Sequence, residues 1–183
     1  MNATIRKHFE NLRSPSSEAR YEAFMHLLKA TEKPVGWGYK VWDELVEGLT
    51  DKDTHVRAIA AQLLCNLAQS DPGGRMLQDF NALLGVTRDD RFVTARHSLQ
   101  AIWKVGVAGK KQRKMLLEGL ALRFRECAAE KNCTLIRYDI AKGLRDLYDQ
   151  VKDEKVREQA MMLIQSEKDT KYRKKYEGVW RGV

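Results

Sequence analysis

Few residues in this sequence interrupt helices or cross-link the chain. Among 183 residues there are three prolines and three cysteines, and scarce proline lets long helices run unbroken. The cysteines are odd in number and form no Cys-x-x-Cys pair, so we expect reduced thiols, buried or half-buried, at Cys65, Cys127 and Cys133. Strict alternation of apolar and polar residues is hard to find, which disfavours a β-sandwich or β-barrel.

Long apolar runs are also missing. The first eight residues, Met1 to His8, become charged before any apolar run forms, so we expect no secretory signal. No stretch approaches the roughly 18 apolar residues that a membrane span requires. Together with the reduced thiols, these features predict a cytoplasmic protein.

Residue patterns typical of catalysis do not occur. The four histidines lie far apart and none is followed by Glu: His8, His26, His55 and His97. There is no zinc-ligand spacing, nucleophile elbow or Gly-rich phosphate loop, and we expect Asp71-Pro72 to open a helix with an N-cap and a first-turn proline. We therefore predict a protein that is not an enzyme and holds no cofactor or metal.

What the sequence does contain is helical periodicity and positive charge. It is 43% hydrophobic and 32% charged, enough for a substantial core, and its net charge is +8. Apolar residues at 56, 59, 60, 63, 64 and 67 make the stripe of an amphipathic helix. Asp53 is a natural N-cap for it. A second stripe over residues 37–49 predicts an antiparallel partner helix.

The same unit recurs along the chain. An apolar residue followed by arginine opens the second helix of each unit at Arg20, Arg57, Arg96 and Arg137, roughly 40 residues apart. A fifth pair, Val156-Arg157, follows sooner and belongs to the first helix of a last unit. A fixed period of this length is typical of stacked helical repeats.

The Asp-containing turn and the Val-Arg that follows it, Asp51 to Arg57, resemble the HEAT repeat, and the resemblance spans roughly residues 2–167. It implies an all-α fold, a right-handed α-solenoid of about five stacked antiparallel helix pairs. We expect one domain over residues 1–183, with units of about 2–31, 37–69, 72–105, 110–150 and 154–181. The third unit has Phe92 where the second has Asp53, so we expect its second helix to begin earlier, at Asp89 or Asp90.

The resemblance also implies roles for two sets of residues. The repeated arginines resemble structural elements that bridge to an Asp of their own or the neighbouring turn. The second helices of HEAT-like stacks line the concave face, and in the second unit positions 58, 62 and 65 lie opposite the buried stripe. Transferred to the third and fourth units, these positions predict a basic partner-binding surface of His97, Lys104, Tyr138, Lys142 and Arg145.

Two further basic clusters form a candidate secondary patch: Lys110, Lys111, Arg113 and Lys114, and Lys171, Arg173, Lys174 and Lys175. In the second cluster Tyr172, Tyr176, Val179 and Trp180 share the opposite helical face. Such aromatics either stack on nucleic acid or dock a final helix that caps the solenoid, and we favour the cap.

A non-catalytic scaffold or adaptor is the function that these features favour, with another protein of acidic surface as the partner and no small-molecule substrate. The alternative is a nucleic-acid-binding protein, similar to the HEAT-like alkylpurine DNA glycosylases, which use a basic concave groove with aromatics around a catalytic acid. Trp37, Trp42 and Trp103 fit that alternative loosely. No acid occupies the predicted concave positions of the third and fourth units before Asp149.

Overall fold

The computed structural model describes all 183 residues, which form ten α-helices and no strand. The helices are α1 (Ala3–Asn11), α2 (Ser17–Ala30), α3 (Trp42–Gly48), α4 (Thr54–Leu67), α5 (Met76–Val86), α6 (Phe92–Ala101), α7 (Lys110–Glu126), α8 (Cys133–Val151), α9 (Glu154–Gln165) and α10 (Thr170–Val179). Short 3-10 segments continue α4, α6 and α7. No helix is both long enough and apolar enough to cross a membrane. The predicted all-α fold is confirmed.

Successive helices alternate between two layers. The odd-numbered helices pack side by side, α3 on α5, α5 on α7 and α7 on α9, while α2, α4, α6, α8 and α10 pack in the same order in the second layer. Each odd helix also contacts the even helix of its own pair. This two-layer stack is an α-solenoid, as the repeated pattern predicts. We call the outer surface of the even-numbered helices the second-helix face.

A continuous core lies between the layers. Forty buried hydrophobic residues form one cluster that extends from Ile5 in α1 to Trp180 after α10. The apolar stripes predicted from the sequence form this core. Leu64, Leu99 and Leu144, one from each of three stripes, are essentially inaccessible to solvent. Val56, also expected to be buried, is only half-buried.

Two helices start later than their sequence signals predict. Helix α5 begins at Met76 and not at Pro72, because Gly74 (φ 72°) turns the chain first. Asp71 still caps it, accepting the backbone N–H groups of Arg75 at 2.9 Å and Met76 at 2.8 Å. Helix α6 begins at Phe92 and not at Asp89 or Asp90. Both of those carboxylates accept the backbone N–H of Arg91, which keeps this segment in a turn.

The C-terminal helix closes the stack. Helix α10 packs on α8 and α9 through two aromatic residues that are buried. The Tyr176 hydroxyl donates to the Thr134 carbonyl at 2.9 Å, and Trp180 Nε1 donates to the Ala141 carbonyl at 3.2 Å. These aromatics therefore dock the last helix and are not free to stack on a ligand.

Candidate binding groove

In the first two units the arginine that opens the second helix donates to carbonyls of the turn before it. One Arg20 nitrogen donates to the carbonyls of Ser14 at 2.7 Å and Pro15 at 3.0 Å. Arg57, one unit later, repeats this contact on the carbonyls six and five residues before it, at 2.7 and 3.3 Å. The repeat is thus reproduced at the level of single hydrogen bonds, which tie each turn to the helix that follows.

Arg57 also joins its unit to the next one. Its Nε donates to Asp89 Oδ2 at 2.5 Å and a second nitrogen donates to Asp89 Oδ1 at 2.9 Å. The Asp89 side chain is only 4% exposed. Hydrogen bonding to the Arg57 guanidinium holds the pKa of this carboxyl below its usual range. A bidentate ion pair of this kind fixes the relative position of the two units.

The following two arginines do the same. Arg96 donates to both oxygens of the buried Asp139, at 2.7 and 2.9 Å. Arg137 donates to the buried Glu167 at 2.8 Å and to the Phe124 carbonyl at 3.0 Å. Arg57 therefore shows the structural role implied for it, a bridge to an Asp of the neighbouring turn, whereas Arg96 reaches an Asp within α8 and Arg137 reaches a glutamate. These three cations are occupied within the fold and are not available to a ligand.

The largest depression on the second-helix face lies over the starts of α2, α4 and α6. It is a groove of about 970 Å³. Its walls carry two strongly exposed apolar side chains, Tyr21 (64%) and Val93 (67%). Phe24, Ile59 and Phe92 line it as half-buried side chains. Exposed large apolar residues gathered in one groove mark a surface suited to binding.

The groove is positively charged. Arg20 and Arg91 line it and neither forms an ion pair, while His97 and the ring of His55, 3.1 Å from Asp53, also line it. The one acidic residue in the lining, Asp90, lies 3.3 Å from the guanidinium of Arg57. The first turn of α6 has no side-chain cap, so its backbone N–H groups also face this end. Together these groups favour an anionic ligand.

The residues predicted to bind a partner are distributed over the second-helix face. His97 lines the groove. Lys104 lines a separate recess of about 250 Å³ near the other ends of α2, α4 and α6, where its ammonium donates to Asn66 Oδ1 at 2.7 Å. The remaining three lie on α8 and line neither cavity: Tyr138, Lys142 and Arg145.

On α8 those three residues contact acids or the final helix. Arg145 donates to Asp149 at 2.7 Å and to the Val179 carbonyl at 3.1 Å, and Lys142 pairs with Asp146. The ammonium of Lys175 lies 4.9 Å from the centre of the Tyr138 ring. The structure therefore brings Tyr138 of the predicted partner-binding surface next to Lys175 of the secondary patch.

The two halves of the secondary patch lie on different layers, α7 and α10, and their arginines are engaged. Arg113 donates to Asp153 at 2.7 Å, and Arg173 donates to the Glu167 carbonyl at 2.8 Å. Arg173 thus repeats the turn contact of Arg20 and Arg57. Lys110, Lys111 and Lys174 are exposed.

The predicted stripe reaches the groove on α4 at Ala58 and on α6 at His97, but on α6 it starts one turn after the exposed groove residue Val93. Ala58 and Cys65, expected to face a ligand, are buried because α4 packs between α2 and α6 as well as on α3. Extending the stripe one turn back, from His97 to Val93, would have found the groove. No group of three or more His, Cys, Asp or Glu side chains is arranged to hold a metal ion.

Comparison with known proteins agrees with this architecture. The family model of the HEAT repeat matches residues 41–70, the α3–α4 pair. A crystal structure of an engineered protein aligns over 98% of this chain and 95% of its own, at 16% sequence identity and a TM-score of 0.52. A designed armadillo repeat protein aligns over 96% of this chain and 98% of its own, at 16% identity and a TM-score of 0.50. No curated protein matches in sequence.

The stacked pairs and these structural likenesses define a helical-repeat solenoid. Residues 41–70 match the HEAT repeat, and the chain as a whole is similar in fold to helical-repeat proteins. Folds of this kind typically serve as interaction scaffolds and are typically non-catalytic.

Proposed function

We propose that this protein is a non-catalytic scaffold that binds an acidic segment of another protein in the groove over α2, α4 and α6. The observation that carries the proposal is the combination of exposed Tyr21 and Val93 with Arg20 and Arg91, which form no ion pair, in one groove. Apolar side chains of the partner would pack on the first two residues. Its carboxylates would pair with the arginines.

The solenoid supports this function physically. A stack of helix pairs presents a rigid extended surface, so binding costs little ordering of the scaffold itself. Lys104, Tyr138, Lys142 and Arg145 continue the second-helix face beyond the groove, and we propose that they extend the contact of a longer partner. Exposed basic groups there would mainly accelerate association and make it depend on salt.

Nucleic-acid binding is the alternative, and the aromatic residues give it little support. Trp42 is fully buried and donates from Nε1 to Asp79 at 2.7 Å. Tyr176 on α10 and Trp180 at its end are buried against α8. Side chains that fill the core offer no surface for bases to stack on. The net charge of +8 is the feature that keeps this alternative as an outcome of the test.

The test is capture of partners from a native lysate with and without nuclease, comparing the wild type with an Arg91→Glu, Val93→Asp variant. Both side chains are exposed, so the variant should keep the wild-type thermal midpoint. We expect it to lose specific capture by at least about tenfold, since apolar anchors and paired arginines dominate such interfaces. Leu122→Asp, on an exposed apolar residue of α7 outside the groove, is the matched control.

The other outcomes would each identify a different class of partner, a different binding site or non-specific capture. Capture that disappears with nuclease would favour the nucleic-acid alternative. Capture that survives the groove variant but fails in a Lys104→Glu, Lys142→Glu variant would move the site to the recess and α8. Equal loss in the Leu122→Asp control would show that the captured proteins bind without specificity.

A further inference from the structure

Two of the three thiols lie next to each other at the turn between α7 and α8. Cys127 follows the end of α7 and Cys133 is the first residue of α8. Their sulfur atoms are 2.9 Å apart. A disulfide needs about 2.05 Å between the sulfurs, so bond formation requires a shift of less than about 1 Å. The third thiol, Cys65, is buried in α4 without a second cysteine beside it.

We propose that Cys127 and Cys133 form an oxidation site, at which a hydroperoxide converts the two thiols into an intramolecular disulfide. This inference is independent of the groove and of the proposed partner. It rests on the sulfur-to-sulfur distance and on the unequal exposure of the two residues.

Exposure sets the order of the two steps. Cys133 is partly exposed, so an oxidant dissolved in water reaches it first. Cys127 is buried, and its thiol donates to the Phe124 carbonyl at 3.3 Å. Burial raises the pKa of Cys127 to about 12, which keeps it protonated and slow to react with an external oxidant. Cys133 is therefore the attacked thiol and Cys127 the resolving one.

The chemistry balances with the peroxide as the only co-reactant. With hydrogen peroxide, the Cys133 sulfur attacks one peroxide oxygen in the first step, the O–O bond breaks, the leaving hydroxide takes the Cys133 proton, and a sulfenic acid and water form; an organic hydroperoxide releases an alcohol in place of this water. In the second step the Cys127 sulfur attacks Cys133, the S–O bond breaks, and the leaving hydroxide takes the Cys127 proton to form a second water. The two sulfurs lose two electrons in total, which the peroxide gains.

The bond would join the end of α7 to the start of α8 within the fourth helix pair. It closes a short loop and so lowers the entropy of the unfolded chain. We expect the oxidised protein to melt about 5 °C above the reduced protein. The backbone carbonyl of Thr134, the residue after Cys133, accepts a hydrogen bond from the Tyr176 hydroxyl of α10. The disulfide therefore stiffens the surface on which the final helix docks.

Tryptic peptide mapping tests the proposal directly, because Lys131 separates the two cysteines. Full-length reduced protein is treated with hydrogen peroxide, alkylated and cleaved without reductant. We expect peptides 126–131 and 132–137 as one linked species, two hydrogens lighter than their sum and separated by reductant. Thiol titration of the denatured protein should fall from three groups to one, leaving Cys65 on peptide 58–75 unmodified.

Variants separate the roles of the two thiols. Cys133→Ser should lose no thiol under the same treatment, whereas Cys127→Ser should carry Cys133 forward to the sulfinic acid because no resolving thiol remains. If the Cys127→Ser protein does not fold, the wild-type peptide map still decides. Three intact thiols, sulfinic acid at Cys133 of the wild type without a linked peptide, or linkage between two chains would each overturn the proposal.

Discussion

The pair of Arg57 and Asp89 provides the most demanding test of how the units are held together. The change Arg57→Met keeps an unbranched side chain of moderate length and removes the guanidinium. It leaves the Asp89 carboxylate, 4% exposed, without its cation, and leaves two turn carbonyls without their donor. Asp89 keeps only its contact with the backbone N–H of Arg91, at 2.9 Å.

The magnitude follows from this burial. Removing one partner of a buried ion pair typically costs 3–5 kcal/mol, since the other charge stays in a poorly solvated site. The Arg57 side chain is 16% exposed, so some water reaches the pair. We therefore expect the lower end, about 3 kcal/mol. In a chain of this size that corresponds to a fall of roughly 6–12 °C in the melting temperature.

The assay is urea unfolding followed by circular dichroism, with Arg13→Met as the matched control. Arg13 pairs with Glu44 at 3.3 Å on the surface, where the side chains are 70% and 53% exposed. Exposed pairs contribute about 0–1 kcal/mol. Equal losses for Arg57→Met and Arg13→Met would refute the reasoning. Recovery of at least about 1 kcal/mol in the Arg57→Met, Asp89→Asn double variant would confirm the coupling.

The same pair predicts a pH dependence. Arg57 lowers the pKa of Asp89 in the folded state, so the stabilisation is complete above the ordinary value of about 3.9 and disappears as the pH falls through the lower folded value. The stability difference between wild type and Arg57→Met should therefore stay constant from pH 7 to pH 5 and shrink below about pH 4. A difference that grows on acidification would contradict the assignment.

Three further predictions concern packing, and calorimetric or urea unfolding measures each of them. Leu64→Ala should cost about 2–5 kcal/mol, because the side chain is buried in the central core cluster; a loss under about 0.5 kcal/mol would contradict the assigned register. Gly106→Ala should cost about 1–3 kcal/mol, since an added Cβ would lie 2.7 Å from Leu147 and 2.9 Å from Leu116, both buried. Gly85→Ala, with no atom within 4 Å of the added Cβ, should instead gain about 0.5–1 kcal/mol from helix propensity, and a loss there would show an unseen contact.

Helix identity and the order of layers were predictable from the sequence because the signals are local. Apolar spacing of 3.6 residues, N-caps such as Asp53 and the near-regular recurrence of the opening arginines need no knowledge of tertiary contacts. The two errors at helix starts, in α5 and α6, arise where acidic residues serve the turn before the helix. Asp89 is the clearest case, because its partner is an arginine of the previous unit.

The groove was harder to predict, for a geometric reason. A central helix such as α4 contacts neighbours on both sides of its layer as well as the helix behind it. Only a narrow strip stays exposed, and even Ala58, which lines the groove, is only 8% exposed. The cysteine pair was likewise invisible, since six residues of separation across a turn carry no regular periodicity.

The opening arginines show why positive charge alone is a poor guide to the site. Arg57, Arg96 and Arg137 each pair with a carboxylate of a following segment, so their charges are neutralised within the fold. Arg20 donates to the equivalent turn carbonyls but forms no ion pair. The acid that pairs with Arg57, Asp89, stands seven residues before Arg96. The corresponding position, seven residues before Arg57, is Thr50, which has no charge to pair with Arg20.

Arg20 therefore offers, in the groove, the interaction that the other arginines satisfy within the chain. Because an acid from a partner can take the place that Asp89 takes for Arg57, Arg20→Met should weaken capture of an acidic partner severalfold. It should lower stability by far less than Arg57→Met, since no buried carboxylate loses its cation. Titration of the captured partner against both variants at one temperature well below both melting temperatures measures binding, and urea unfolding measures stability. An Arg20→Met protein that unfolds as readily as Arg57→Met would show that the groove arginine is structural and would remove it from the binding site.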